Sequence, residues 1–339
     1  MNQKKLNWLT PNVVFQLTNA KRCFSILNSQ FSILNYLTLF LLAVSLFQSC
    51  KQEKPQDTNV LTIGAMSSMD FVPIAVAKKM NFFEQNGVEV SIEKFYSAND
   101  RDAAFQSGNI DGTVIDYTGA ILQVAGGIPL KITSACNAPF AIVSSPESNI
   151  KSVEELSGST VAVSRNTVID FCIDMALQSK GLSETDIQKT EINKIPLRLE
   201  MMMKGDIQAT ALPDPFITIA TENECSVITD MQQLGYQVTG IMFSQKTIDS
   251  KKDAIKAFYK SYNQAVEYIK THSIEDIKDI LISDVGFSEN LIEKIKLPDY
   301  TIAQSPNTND IQAVTRWLKI KNLIPNDFST AILDTQFVE

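Results

Sequence analysis

One histidine, His272, stands in 339 residues, and the five cysteines form no CxxC pair. Cys23 and Cys50 fall among the first fifty positions, leaving Cys136, Cys172 and Cys225, an odd number, for the body. That spacing indicates neither a disulfide framework nor a zinc site, and the three are expected as small buried residues. Metal-ligand spacing and a nucleophile–base pair are missing as well, so no cofactor is expected. Residues 1–49 hold no acid, only Lys4, Lys5, Lys21 and Arg22. Without them the chain carries 26 basic against 38 acidic side chains, a net charge of −12 instead of −8. Such a surface argues against nucleic acid and for a soluble body.

Charge is also absent between positions 23 and 50, where 37–47 is a dense apolar run. A basic region, an apolar core and a small residue before a cut make an export signal. Here Ser49 precedes Cys50, and the stretch resembles a bacterial lipoprotein signal cleaved before a cysteine that receives lipid. Phe47 and Gln48 depart from the usual aliphatic and small residues. A plain transmembrane anchor is the alternative, since the stretch is long enough to span a bilayer. The lipoprotein is preferred because the polar run after it, Lys51 to Asp57, suits a tether. The expectation is a signal over 1–49 and a flexible tether over 50–59.

What the body contains is a unit written twice. Gly108-Asn109-Ile110-Asp111-Gly112-Thr113-Val114-Ile115-Asp116 returns as Gly205-Asp206-Ile207-Gln208-Ala209-Thr210-Ala211-Leu212-Pro213-Asp214. In each copy a helical approach ends at a Gly, where a left-handed cap costs no Cβ clash. A short strand comes next, with an acid at or just past its carboxyl end. Ligands of open α/β sheets sit outside the carboxyl ends of strands, so two copies suggest two lobes facing across one cleft.

Around these units strands and helices alternate, predicting doubly wound α/β lobes. The first lobe takes 60–145, including strands at 131–135 and 141–144. The second takes 146–239, with a strand at 160–164 and a helix through Phe171 and Met175. Residues 240–339 return to the first lobe and end in a helical tail expected to cover it. There Ile255, Phe258, Tyr259, Tyr262, Val266 and Ile269 keep helical spacing.

The run Ala77-Lys78-Lys79-Met80-Asn81-Phe82-Phe83-Glu84-Gln85-Asn86-Gly87-Val88 resembles the opening of a solute-binding-protein family. That family serves ATP-driven importers for nitrate, sulfonates and thiamine pyrimidine precursors. Gly127-Ile128-Pro129-Leu130-Lys131, Ser152 to Gly158 and Pro213-Asp214-Pro215-Phe216 fit its pattern in the same order, across about 60–245. Ser157-Gly158-Ser159 stands where Lys-Gly-Lys is usual, and Asp214 where Glu is common. The resemblance implies the type 2 periplasmic-binding-protein architecture, with two lobes hinged to close on a small solute. It further implies an ABC permease and its ATPase as partners, a monomer, and a site facing the periplasm or exterior. Pyrimidine-synthase enzymes of the same family rely on an active-site histidine and a cysteine-rich motif. This chain's one histidine, His272, lies in the helical tail between Thr271 and Ser273, and its cysteines do not cluster, so an enzyme is not expected. A sensing module without transport is the third class.

Site residues are expected at strand ends and helix starts. Asp116 either accepts N–H bonds from a ligand or caps the next helix, and Tyr117 offers a ring for a flat heterocycle. Ser67, Ser68 and Met69 come after the first strand, Ser97 and Asn99 after the second, and Asn166 and Thr167 open a helix in the second lobe. Asn137 and Phe140 fall at the crossing between lobes. Asp214 either braces the hinge or joins Phe216 in the site. Arg165 reads as a solvated surface residue. Paired acids repel anions and suit an N–H-rich flat solute such as an aminopyrimidine; a sulfonate, nitrate or amino acid stays open.

Overall fold

The computed structural model of the protein describes residues 58–329 and 331–338. The expected signal, the lipid site Cys50 and most of the tether therefore lie outside the described residues. Those described form two sheets of one design. The first holds β1 (Val60–Met66), β2 (Glu89–Phe95), β3 (Gly112–Asp116), β4 (Leu130–Cys136) and β10 (Thr239–Ser244), in the order β2-β1-β3-β10-β4. The second holds β5 (Phe140–Ser144), β6 (Thr160–Val163), β7 (Gln188–Glu191), β8 (Ala209–Pro213) and β9 (Ser226–Asp230), in the order β7-β6-β8-β5-β9. In each sheet one strand runs against its neighbours: β10 between β3 and β4, and β5 between β8 and β9. Both are strands by which the chain has just crossed from the other lobe.

The repeated unit occupies the centre of both sheets. Helices Ala98–Gln106 and Ile195–Met203 are each succeeded by a left-handed glycine, Gly108 at φ 76° and Gly205 at φ 78°. β3 and β8 come next, third in their sheets. Thr113 donates its hydroxyl to the Gly64 carbonyl at 2.8 Å, and Thr210 does the same to Ala162 at 2.8 Å. Asp111 accepts the Thr62 N–H at 2.8 Å, and Gln208 accepts that of Thr160 at 2.7 Å. Equivalent side chains thus fasten the central strand of each lobe to its neighbour.

Two expectations need correcting. The boundary at 146 falls too late, because Phe140–Ser144 pairs with β8 and β9 rather than with the first sheet. Its apolar residues read alike in either sheet, and only the pairing Phe140↔Pro213 places them. Helix Lys252–Thr271 does bury Ile255, Phe258, Tyr259, Tyr262, Val266 and Ile269 in the core around helix Val72–Lys79 of the first lobe. The last helix, Thr308–Ile320, does not stay there. Its Ile311 and Val314 share a core with Ile121 of helix Tyr117–Ala125, while Trp317 lies edge-on to Phe171 of the second lobe at 5.6 Å. An amphipathic helix packs on whichever apolar surface it meets, and this one meets both lobes. Among the described residues no helix is long and apolar enough to cross a membrane. Cys136, Cys172 and Cys225 are free and buried.

Candidate functional site

The carboxyl ends of β1, β3, β6 and β8 converge between the sheets, and each strand runs on into a helix start or a turn. Beyond β1, Ser67 and Ser68 lead into a short turn at Met69–Phe71. Beyond β3, Asp116 caps helix Tyr117–Ala125, accepting the Gly119 N–H at 2.8 Å and the Thr118 hydroxyl. Beyond β6, Thr167 caps helix Val168–Ser179 through the Ile169 N–H at 3.3 Å. Together they enclose a cavity of ≈ 60 Å³ lined by both lobes. Outside it lies a wider recess of ≈ 580 Å³, and Asp116 and Thr167 border both.

Of the residues expected from sequence, Ser67, Ser68, Asp116, Phe140 and Thr167 line the cavity. Asn99 and Asn166 line the outer recess, with Asn166 held left-handed at φ 62°. Arg165 is there too, half-exposed and 3.7 Å from Glu191. The others turn elsewhere. Met69 and Tyr117 are fully buried in the two large cores, because the first residue of each turn or helix packs inward. Ser97 spends its hydroxyl on capping helix Ala98–Gln106, accepting the Asp100 N–H at 3.2 Å. Asn137 donates to the Asp299 carbonyl at 2.6 Å and so fixes the crossing. Asp214 accepts the Thr218 N–H and hydroxyl at 2.9 and 2.8 Å, capping rather than facing the cavity. Phe216 packs beside Met66 and Ile195 around a gap of ≈ 10 Å³ at the cavity's edge.

Charge in the cavity comes largely from residues that pattern reading passes over. Asp70, buried, accepts the Ala138 N–H at 2.7 Å and the Thr239 hydroxyl at 2.8 Å. Burial outweighs those bonds and pushes its carboxyl up to about 6. Arg101 lies between Asp102 at 2.8 Å and Asp116 at 3.3 Å. Burial opposes its charge, but the two carboxylates prevail and hold the guanidinium above its usual range. Asp102 in turn is raised, burial outweighing the pull of Arg101. Arg198, from helix Ile195–Met203, is 0% exposed and gives one bond, from Nη1 to the Ile192 carbonyl at 2.8 Å. Among the described residues its Nε and Nη2 have no hydrogen-bond partner, and burial lowers it to about 10, so it stays charged at neutral pH. Ser164, Asn193 and Thr239 complete the polar lining. A signal for Arg198 was available. It stands three residues after Ile195, on the stripe that Leu199 and Met202 continue, where a solvated arginine has no place.

Two five-stranded sheets of one topology, crossed twice and facing across a shared cavity, define the type 2 periplasmic-binding-protein architecture. The chain belongs to the NMT1/THI5-like family, which matches residues 68–315. A Haemophilus influenzae protein assigned by name to thiamine biosynthesis is 26% identical over 214 residues, 61% of this chain and 67% of that protein. The alkanesulfonate-binding protein of Xanthomonas axonopodis pv. citri, bound to MOPS, superposes with a TM-score of 0.69 at 18% identity, covering 81% of this chain and 96% of its own. The periplasmic nitrate-binding protein of Synechocystis PCC 6803 gives a TM-score of 0.66 at 13% identity, covering 80% and 83%. Identities this low carry the fold alone.

Proposed function

We propose that the protein is the solute-binding component of an ABC importer, exported and held at the membrane by lipid on Cys50, with its two lobes closing on a small solute. The observation that carries this is the cavity itself, largely apolar with a few convergent polar groups and lined from both lobes at the carboxyl ends of their central strands. A permease and its ATPase are the partners this reading requires, and the protein acts as a monomer. Catalysis is not part of it. The sequence's single histidine, His272, is stacked on Tyr268 at 3.7 Å on the helical tail.

For the solute we favour an N–H-rich flat molecule of the thiamine-pyrimidine-precursor kind. The family and the thiamine-related relative support that class. The acid that favours it is now Asp70, since Asp214 caps a helix and Asp116 is shared with Arg101. Native mass spectrometry of the protein as purified tests the reading. A co-purified solute released unchanged is expected, and a solute converted to product on the protein would make it an enzyme.

A further inference from the structure

The two walls of the cavity differ in charge. On the first-lobe side stand Asp70, Asp116 and Arg101. The second-lobe side has no acid in its lining; it offers Arg198 together with the starts of two helices, at Thr167–Ile169 and at Asn193–Ile195. Helix starts carry orphan N–H groups and partial positive charge. Helix Ile195–Met203 has no side-chain cap to use up its donors.

Arg198 is the least settled residue of the site. A structural strut would satisfy its donors, yet only Nη1 is bonded, and among the described residues no carboxylate pairs with it. An unpaired buried charge is destabilising, so a core position alone gives no reason to keep an arginine. The two nitrogens left over share one edge of the guanidinium plane. That edge is the fork that receives two oxygens of a carboxylate, sulfonate or phosphate side by side.

We propose that the second-lobe wall is an oxyanion subsite, in which Nε and Nη2 of Arg198 take two oxygens of the solute. The opposite end of the same solute presents N–H donors to Asp70. The ligand is thus a small two-ended molecule, an acid carrying an amine or amino-heterocycle. This rests on the solute-clamp reading and narrows it. Each lobe holds the end of opposite character, so closure brings both contacts together.

Calorimetric titration of the full-length protein with matched probes tests the proposal. One set is 3-aminopropanol, 3-aminopropanoate and 3-aminopropanesulfonate. The other is a hydroxymethyl aminopyrimidine and its phosphate ester. Within each set the acids should bind about ten- to a hundredfold tighter than the neutral member, and their ranking identifies the oxyanion. Arg198→Met should remove that preference without lowering the melting temperature of the solute-free protein. Lys204→Met, which deletes an exposed charge at the end of the same helix, should keep it. Neutral probes binding as tightly as acids, or an unchanged preference in Arg198→Met, would overturn the subsite while leaving the clamp standing. If no probe binds, the solute found by native mass spectrometry decides. A neutral one refutes the subsite, and an acidic one supports it only if Arg198→Met purifies without it. No bound solute and no binding probe would refute the clamp as well.

Discussion

Asp174 of the second lobe accepts the indole N–H of Trp317 at 2.8 Å through Oδ2, while its Oδ1 meets Lys189 at 2.5 Å. Trp317 belongs to the last helix, so this carboxylate ties the tail to the lobe that the sequence did not assign it to. Lys321 adds a second tie to the same oxygen at 2.8 Å. One turn earlier, Asp170 joins Lys189 at 2.6 Å and accepts the Asn166 N–H at 3.2 Å at the mouth of the recess. A continuous polar path therefore runs from the recess to the tail.

The path sets a stability prediction. Asp174→Ala leaves Lys189 and Lys321 short of one carboxylate, and breaking a buried pair costs roughly 3–5 kcal/mol. Trp317→Phe keeps a ring on Phe171 but loses the N–H bond to a charged carboxylate, roughly 1.5–3 kcal/mol, and with the smaller ring some buried packing, while Asp174 keeps both lysines. Burial opposes the charge on Asp174, but Lys189, Lys321 and Trp317 together hold its carboxyl below the usual range. Its contribution is therefore complete above the ordinary carboxylate pKa and lost as pH falls through the folded value. Urea unfolding of the two variants at neutral pH checks the order. Equal and small losses would show that the last helix adds little.

Asp70 has the opposite sign. Its carboxyl is raised from the ordinary 3.8 to about 6, so the folded protein binds a proton more readily than the unfolded chain. Between those values stability falls as pH rises, and above about 6 the full cost of roughly 3 kcal/mol is present. Asp70→Asn keeps an acceptor for the Ala138 N–H, and its amide N–H can donate to the Thr239 hydroxyl once that hydroxyl reverses its role. The solute-free variant should exceed the parent in stability at pH 7, by up to that amount, and the gap should close towards pH 4. Denaturant melts at four pH values measure it. A gap that does not change with pH would mean the folded carboxyl is not raised.

Both lobes were readable in the chain because the repeat writes its own structure. Gly108 and Gly205 stop the helices, and Thr113 and Thr210 recur at one offset and make one bond. The acids that end the repeat were not readable to the same depth. A carboxylate after a strand sits equally well on the next helix's N–H groups or on a ligand, and Asp116 and Asp214 both took the helix. Tyr117 comes directly after Asp116, yet its side chain goes to the core while Asp116 borders the cavity. Neighbours at a helix start point apart by about 100°, and composition does not say which one faces the cleft. Asp70 was hidden by its apolar neighbours Met69, Phe71 and Val72.

Cys50→Ser tests the anchor. Cys50 stands after an apolar run and Ser49 and precedes a polar stretch, and a lipid chain adds about 0.8 kcal/mol of membrane affinity per buried CH₂. The variant should leave the membrane fraction or keep its signal unprocessed, either of which intact mass reveals. Unchanged fractionation together with an unchanged mass would remove the lipid from the account.

Asp116 and Asp70 compete to be the acid a solute meets, and the same substitution separates them. Asp116 is matched by Arg101 at 3.3 Å and holds the Gly119 N–H at 2.8 Å, so its charge is already answered within the first lobe. Among the described residues Asp70 bonds no cation, only the Thr239 hydroxyl and the Ala138 N–H. Asp116→Asn keeps a capping oxygen but weakens the hold on Arg101, which retains Asp102 at 2.8 Å. It should therefore cost stability, about 1.5–3 kcal/mol for a hydrogen bond to a charged group, and leave solute affinity within about threefold, a shift of under 1 kcal/mol. Asp70→Asn should do the reverse, gaining stability at pH 7 and losing about ten- to a hundredfold in affinity for an N–H-rich solute. Titration of both folded variants with one aminopyrimidine decides between them. A large affinity loss in Asp116→Asn alone would make Asp116 the acid that binds the solute and leave Asp70 a buried strut between Ala138 and Thr239.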